Sequence, residues 1–312
     1  MLELESTAMH HALSEVPLAI FTAMFPIAIG AFVFICIAFW TNHFNETEVK
    51  KIDKLLIIPI ALSAISFLFA VLHLKYPWHA YYIFHNIANS PLSREIAGAS
   101  VTFTVVTAYW ILALVKKFDY QKHKTGLVLC ALAALASPII LGFAYQVPTI
   151  ISWGSVGPFI YLFGNTLIGG SMLGAFVLLL ALKQAAAEEI IGAGNKAAKK
   201  AAHTNRLSKN SKWAMFLLAI AGFVISIIGN IVHMNDVNNI VTAYVIGAEH
   251  FSDISLFYWV YFPLAIVALI CLYVALFKEK GKLALLAWVI FLVGSFLGRL
   301  AFYGTYITVG MG

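Results

Sequence analysis

The sequence predicts an all-α integral membrane protein, a bundle of eight transmembrane helices with both termini outside, and three observations carry that expectation. Of 312 residues, 62% are hydrophobic and only 11% charged, with a mean hydropathy of +0.89, whereas a soluble domain carries about 25% charged residues. Eight separate runs reach the roughly 20 apolar residues a helix needs to cross about 30 Å of hydrocarbon. Seventeen of the 20 Lys and Arg residues gather in alternate loops, which orients the chain.

The first run, about 17–40, follows a stretch that has Glu3, Glu5 and Glu15 but no Lys or Arg. A cleavable signal needs a basic n-region, so this span is expected to stay in the mature protein. The second, about 53–74, ends beside His73. The third, about 92–115, starts behind Ser90 as N-cap and Pro91 at the first helical position. The fourth and fifth cover about 125–146 and 157–183. An Ala- and Lys-rich connection, about 184–212, reads either as a surface helix on anionic headgroups or as a solvated linker. The last three spans are about 213–234, 254–277 and 283–304. None alternates apolar and polar residues as barrel strands do. Backbone groups in lipid must pair within their own segment, so each run is a helix. Residues 1–312 read as a single transmembrane domain with no tandem repeat.

Lys50, Lys51 and Lys54 follow the first span, and Lys116, Lys117, Lys122 and Lys124 the third. Lys183, Lys196, Lys199, Lys200, Arg206, Lys209 and Lys212 follow the fifth, and Lys278, Lys280 and Lys282 the seventh; only Lys75, Arg94 and Arg299 lie elsewhere. Positive loops stay in the cytoplasm, which puts both termini outside. The net charge of +6 is thus a membrane-orientation signal and not a nucleic-acid footprint. Cys36, Cys130 and Cys271 sit inside apolar runs without a C-x-x-C pair, so the protein is expected to hold no iron–sulfur cluster or structural zinc.

An ionisable residue inside a membrane segment is a functional-site candidate by default. With this orientation His73, Glu95, Arg299, Asn165, Asn230 and His233 all fall in the outer half, and the inner half offers almost nothing comparable. Glu95, early in the third span, is pulled toward ionisation by the helix N-terminus and away from it by desolvation. Its bland alternative is to neutralise that helix end or pair with Arg299. Arg299 keeps its proton and needs a carboxylate or a route to water. Asn165 and His233 read more readily as structural, and Trp78, Tyr81, Tyr82 and Tyr303 as an interfacial aromatic belt. Quinol oxidation suits this set: it needs an apolar cleft, a hydrogen-bond partner for a quinol oxygen and a proton acceptor near water. His73 would serve the oxygen and Glu95 would take the proton. Haem is not expected, because His10, His11, His43, His79, His85, His123, His203 and His250 read as tail or loop residues, leaving only His73 and His233 in spans.

The stretches "EVPLAIFT" from Glu15, "LHL" from Leu72, "SPLSREIAG" from Ser90 and "GRLAFYGTYITVGM" from Gly298 resemble the membrane anchor subunit of the bacterial dimethyl sulfoxide reductase complex. The resemblance runs from the first span to the last. It implies a haem-free, eight-helix anchor in the bacterial inner membrane that oxidises menaquinol to menaquinone in anaerobic respiration. It also implies partner subunits: an iron–sulfur subunit that receives the electrons and a molybdopterin catalytic subunit that reduces S- or N-oxides. The family's quinol-site histidine and glutamate fall on His73 and Glu95. Arg299 falls on the arginine of the G-R-x-x-F-Y-G element, with a quinol-site or a structural role. The sequence departs from the family at Lys75, commonly Gly, and at His79, commonly basic. Alternatives are a polysulfide-reductase-type quinone anchor, which should lack that ending, and a secondary transporter, which should show inverted repeats and a midplane site.

Overall fold

The computed structural model describes residues 7–308 except 75, 86, 117, 194–206, 243–244 and 253. Lys75, residues 194–206 of the basic connection after the fifth span and the V-G-M part of the T-V-G-M ending lie outside the described residues. The helices are α1 Thr7–Ser14, α2 Val16–Ile29, α3 Ala31–Thr41, α4 Glu46–Leu55, α5 Ile57–Leu72, α6 Pro91–Lys116, α7 Tyr120–Ala144, α8 Gly157–Ala193, α9 Lys209–Asn238, α10 Gly247–Ser252, α11 Ser255–Phe277 and α12 Gly281–Gly304. Two isolated β-bridges are the only extended pairings among the described residues.

Among the described residues, eight helical units, with α2–α3 and α4–α5 each counted as one, are long and apolar enough to cross a membrane. They are not equivalent. The first (α2–α3) and fifth (α8) are 89% buried over their most apolar stretch, while the other six are 28–50% buried there. Two central helices are therefore ringed by six that offer side chains to lipid. The central pair touches at Gly30 and Gly170, where a Cβ on Gly170 would lie 2.5 Å from the Gly30 carbonyl carbon. Only glycine permits so close a crossing, the usual device where lipid supplies no hydrophobic drive between helices. Pro26 inside α2 cannot donate to the Thr22 carbonyl. In the second span, the joint at Leu56 comes where Pro59 leaves the Leu55 carbonyl without its donor.

Capping fixes several boundaries away from the hydropathy limits. Asn45 and Glu48 form a capping box, the Glu48 N–H donating to Asn45 Oδ1 at 2.9 Å and the Asn45 N–H to Glu48 Oε2 at 2.8 Å. The second span thus starts at Glu46 and not near 53. Asp119 caps α7 through Lys122 N–H at 2.8 Å, so that helix begins at Tyr120. The connection after the fifth span starts not as a separate surface helix but as a continuation of α8 to Ala193, tied to the second span by the Lys51–Glu188 ion pair and an Asn45–Glu189 hydrogen bond.

α1 packs against α12, and the Ile151 N–H donates to the Ile307 carbonyl at 2.9 Å. The first and last described segments therefore lie at the same end of the bundle as the loop following α7, called here the terminal end.

Candidate functional site

Glu95 lies in the second turn of α6, where the sequence places it. The helix opens at Pro91, and the Ser90 hydroxyl accepts from Ser93 N–H at 3.3 Å. The side chain is turned inward: Glu95 is 1% exposed and Arg299 on α12 fully buried. They do not form an ion pair. The Tyr145 hydroxyl, just past α7, donates to Glu95 Oε1 at 2.9 Å. Its single proton is thereby committed, so the Tyr303 hydroxyl, 2.5 Å away, must donate to Tyr145. Arg299 Nη2 donates to the Tyr303 oxygen at 3.0 Å and Nε to Thr22 Oγ1 at 2.9 Å. Thr22 donates to the Leu18 carbonyl at 2.9 Å. A cation and a carboxylate are thus joined by two phenols whose donations all run toward the acid.

The same heavy atoms support the reverse order. A protonated Glu95 donates to Tyr145, Tyr145 to Tyr303, and Tyr303 to Thr22 Oγ1 at 3.3 Å. The second arrangement carries one more proton, on Glu95, and once that proton is added only the hydroxyl hydrogens need rotate, so the centre can gain or lose a proton without moving a heavy atom. The guanidinium is walled by aromatic faces, its Cζ lying 4.2 Å from the Phe302 centroid, 4.8 Å from Tyr303 and 4.9 Å from Tyr145. Nη1 has no hydrogen-bond partner. Arg299 lines a cavity of about 10 Å³ together with Asn230, His233 and Tyr258, the size of one water.

His73, the C-cap residue of α5, pairs not with Glu95 but with Glu15 at the start of α2, Nε2 to Oε2 3.5 Å, both side chains 25% exposed. Burial raises the Glu15 pKa above the ordinary carboxylate value, against the opposing pull of His73. Glu15 and Thr22 are seven residues apart, about two turns or 10 Å of helix on one face. The His73–Glu15 pair therefore lies two turns beyond the Thr22 end of the buried centre, toward solvent.

Three readings from sequence are corrected. Tyr303 is fully buried in the centre and is not a belt residue, whereas Tyr81 and Tyr82 are about half exposed, as a belt requires. His123 belongs to the first turn of α7 and is 2% exposed, so the haem-free expectation no longer rests on the histidine count. The end of the bundle opposite the termini is not empty of buried polar groups. There His123 Nδ1 is 3.0 Å from the Tyr109 hydroxyl and 3.7 Å from Asp53 Oδ1, which has no hydrogen bond. Asn165 is a structural bridge: its Oδ1 accepts from Ser226 and Tyr261 at 3.0 and 2.7 Å, and its Nδ2 donates to Ser295 at 3.1 Å. The side chain of His79 lies outside the described residues. No group of three metal-ligating side chains occurs among the described residues.

Fold and centre together define a multi-pass helical membrane protein with a buried, reversible acid–arginine network at one end. The protein belongs to the DMSO reductase anchor subunit (DmsC) family, whose model matches residues 9–305. It is 24% identical to the C subunit of the anaerobic dimethyl sulfoxide reductase of Escherichia coli K12 over 306 residues, covering 95% of this sequence and 96% of that one. The YnfH subunit of an anaerobic dimethyl sulfoxide reductase from the same strain is 24% identical over 297 residues, with the same coverage. The corresponding C subunit from Haemophilus influenzae is 26% identical over 179 residues, which is 56% of this sequence and 62% of the relative's length.

Proposed function

We propose that this protein anchors a dimethyl sulfoxide reductase-type complex in the bacterial inner membrane and oxidises menaquinol there, with Glu95 as proton acceptor. The observation that carries the reading is the buried Glu95 carboxylate at the end of the donor series from Arg299. A carboxylate in an apolar wall needs such compensation to stay ionised, and an ionised acid is what a quinol hydroxyl requires. Menaquinol gives up two protons and two electrons to become menaquinone. One proton passes to Glu95, inverting the phenol series toward Thr22. The His73–Glu15 pair, nearer solvent, binds the second quinol oxygen and releases protons outward. The electrons go to an iron–sulfur partner subunit and then to a molybdopterin catalytic subunit that reduces an S- or N-oxide; the anchor's own residues hold the donor and move its protons. Arg299 keeps the centre electrically balanced and lines the quinol site. The lysine-rich loops face the cytoplasm, which sets the terminal end, both termini and the quinol site on the outer side.

The test is Glu95→Gln in the assembled complex. Quinol-dependent oxide reduction is expected to fall at least about 100-fold, in the range general-base removal produces, while reduction driven by an artificial donor to the partner subunits persists. Loss of both activities would assign Glu95 to assembly, and retention of both would remove it from the reaction.

A further inference from the structure

At the lysine-rich end, between α8 and α12, lies an open groove of about 590 Å³, within the usual range for a ligand site. Its floor is apolar, built from Phe176 and Leu180 on α8 and from Leu283 and Leu286 on α12. Its rim is basic. Lys183 stands two turns above Phe176 on the same face of α8, and Lys280 and Lys282 flank the start of α12. Among the described residues, no hydrogen bond or ion pair engages these three ammonium groups.

The rim's carboxylate, Glu279, is already neutralised by Lys212 Nζ at 2.6 Å. The turn that carries the rim is rigid: Glu279 adopts the left-handed conformation, φ 54°, and the Lys280 N–H closes on the Ala275 carbonyl at 2.9 Å, a Schellman closure. α12 then starts without a side-chain cap or an acidic residue in its first turn. The amides of Gly281 and Lys282 therefore remain available to an anion beside the lysines.

We propose that this groove binds an anionic glycerophospholipid, its phosphate held by Lys183, Lys280, Lys282 and the first amides of α12, and one acyl tail lying along the apolar floor. Charge complementarity selects the headgroup. The apolar floor, open to the bilayer, requires a hydrocarbon tail and so distinguishes a lipid from a soluble phosphate. The proposal is independent of the quinol reading.

Native mass spectrometry of the full-length protein in neutral detergent, titrated with phosphatidylglycerol or phosphatidylcholine, tests it. Phosphatidylglycerol is expected to be retained at least tenfold more tightly. Neutralising each lysine should weaken it about fivefold, and Lys183→Gln, Lys280→Gln and Lys282→Gln together about 100-fold. A control with the same charge loss elsewhere, Lys50→Gln, Lys122→Gln and Lys209→Gln, should retain the lipid. Leu180→Trp, which fills the floor and leaves the lysines in place, should also expel it. Equal loss in the control, equal retention of phosphatidylcholine or unchanged binding by Leu180→Trp would each overturn the proposal. So would protection of the three lysines from acetylation in a phosphatidylglycerol-free complex, because a partner protein would then occupy the groove.

Discussion

Among the described residues the bundle buries three acids; Glu48 is committed to the Asn45 capping box, and the surroundings of the other two differ in kind. At the terminal end Glu95 accepts from Tyr145 and is connected through Tyr303 to Arg299, so its charge has a counter-charge and its oxygen a donor. At the opposite end Asp53 Oδ1 has no donor; the nearest candidate, His123 Nδ1, is 3.7 Å away and engaged by Tyr109. The contrast teaches that burial of a titratable group does not by itself mark chemistry. What distinguishes Glu95 is a connected set of hydroxyls that can reverse direction. The Asp53 cluster is a neighbourhood of polar groups with no hydrogen-bonded path leading out of it among the described residues.

Matched substitutions at the two ends sharpen or break that distinction. Arg299→Leu should have the largest effect: removing one member of a buried charge set costs about 3–5 kcal/mol, read as a fall in the denaturation midpoint, and quinol-dependent turnover should go with it. His123→Leu should cost only about 1–2 kcal/mol, for one neutral hydrogen bond, with turnover intact. Equal losses would mean the two ends are energetically alike. Next, Tyr145→Phe removes the Glu95 donor and should slow quinol-dependent turnover about tenfold, while Tyr109→Phe, at the other end, leaves it unchanged. A slow Tyr109→Phe enzyme would tie the opposite end into the proton path. Smaller again, Asp53→Asn replaces an unpartnered carboxylate oxygen by a neutral group and should leave stability unchanged or raise it by about 1 kcal/mol. A destabilised variant would show that the 3.7 Å contact between Asp53 and His123 acts as a charge interaction.

How far the sequence could be read follows the same division. The eight spans were legible because lipid demands long apolar helices, and Glu95 and Arg299 because charge in such a run is rare. The Ser90–Pro91 start of α6 set the depth of Glu95 from local rules alone. The opposite cluster was hidden because hydropathy starts the second and fourth spans late, leaving Asp53 at a boundary and His123 in a loop. The signals that correct this are in the sequence: Asn45-x-x-Glu48 is a capping box and Asp119 an N-cap, and both pull the helix starts back. Tyr145 and Tyr303 carried no such signal. A tyrosine near a span end has the same sequence signature whether it meets headgroups or a buried guanidinium, and these nearly all-apolar helices give no polar stripe from which to tell its face. The His73–Glu15 contact, between two helix ends, likewise has no local mark.

The finest distinction concerns Glu15, which is partly exposed where Glu95 is sealed. Burial holds its pKa above the ordinary 4.5, and His73 only partly opposes the rise. Because the folded-state value is the higher one, ionisation penalises the folded state more than the unfolded state. Below 4.5 both are protonated and there is no difference. As pH rises from 4.5 through the raised folded value the penalty develops, and above it the penalty is complete. Glu15→Gln keeps an oxygen for His73 and removes the titration. Relative to wild type the variant should therefore gain a small increment of stability on going from pH 4 to pH 7, with no change in the artificial-donor activity of the complex. A wild type that instead outgains the variant over that interval would show His73 stabilising the carboxylate more than burial penalises it, making this contact a true ion pair and the stronger of the two acidic sites at the terminal end.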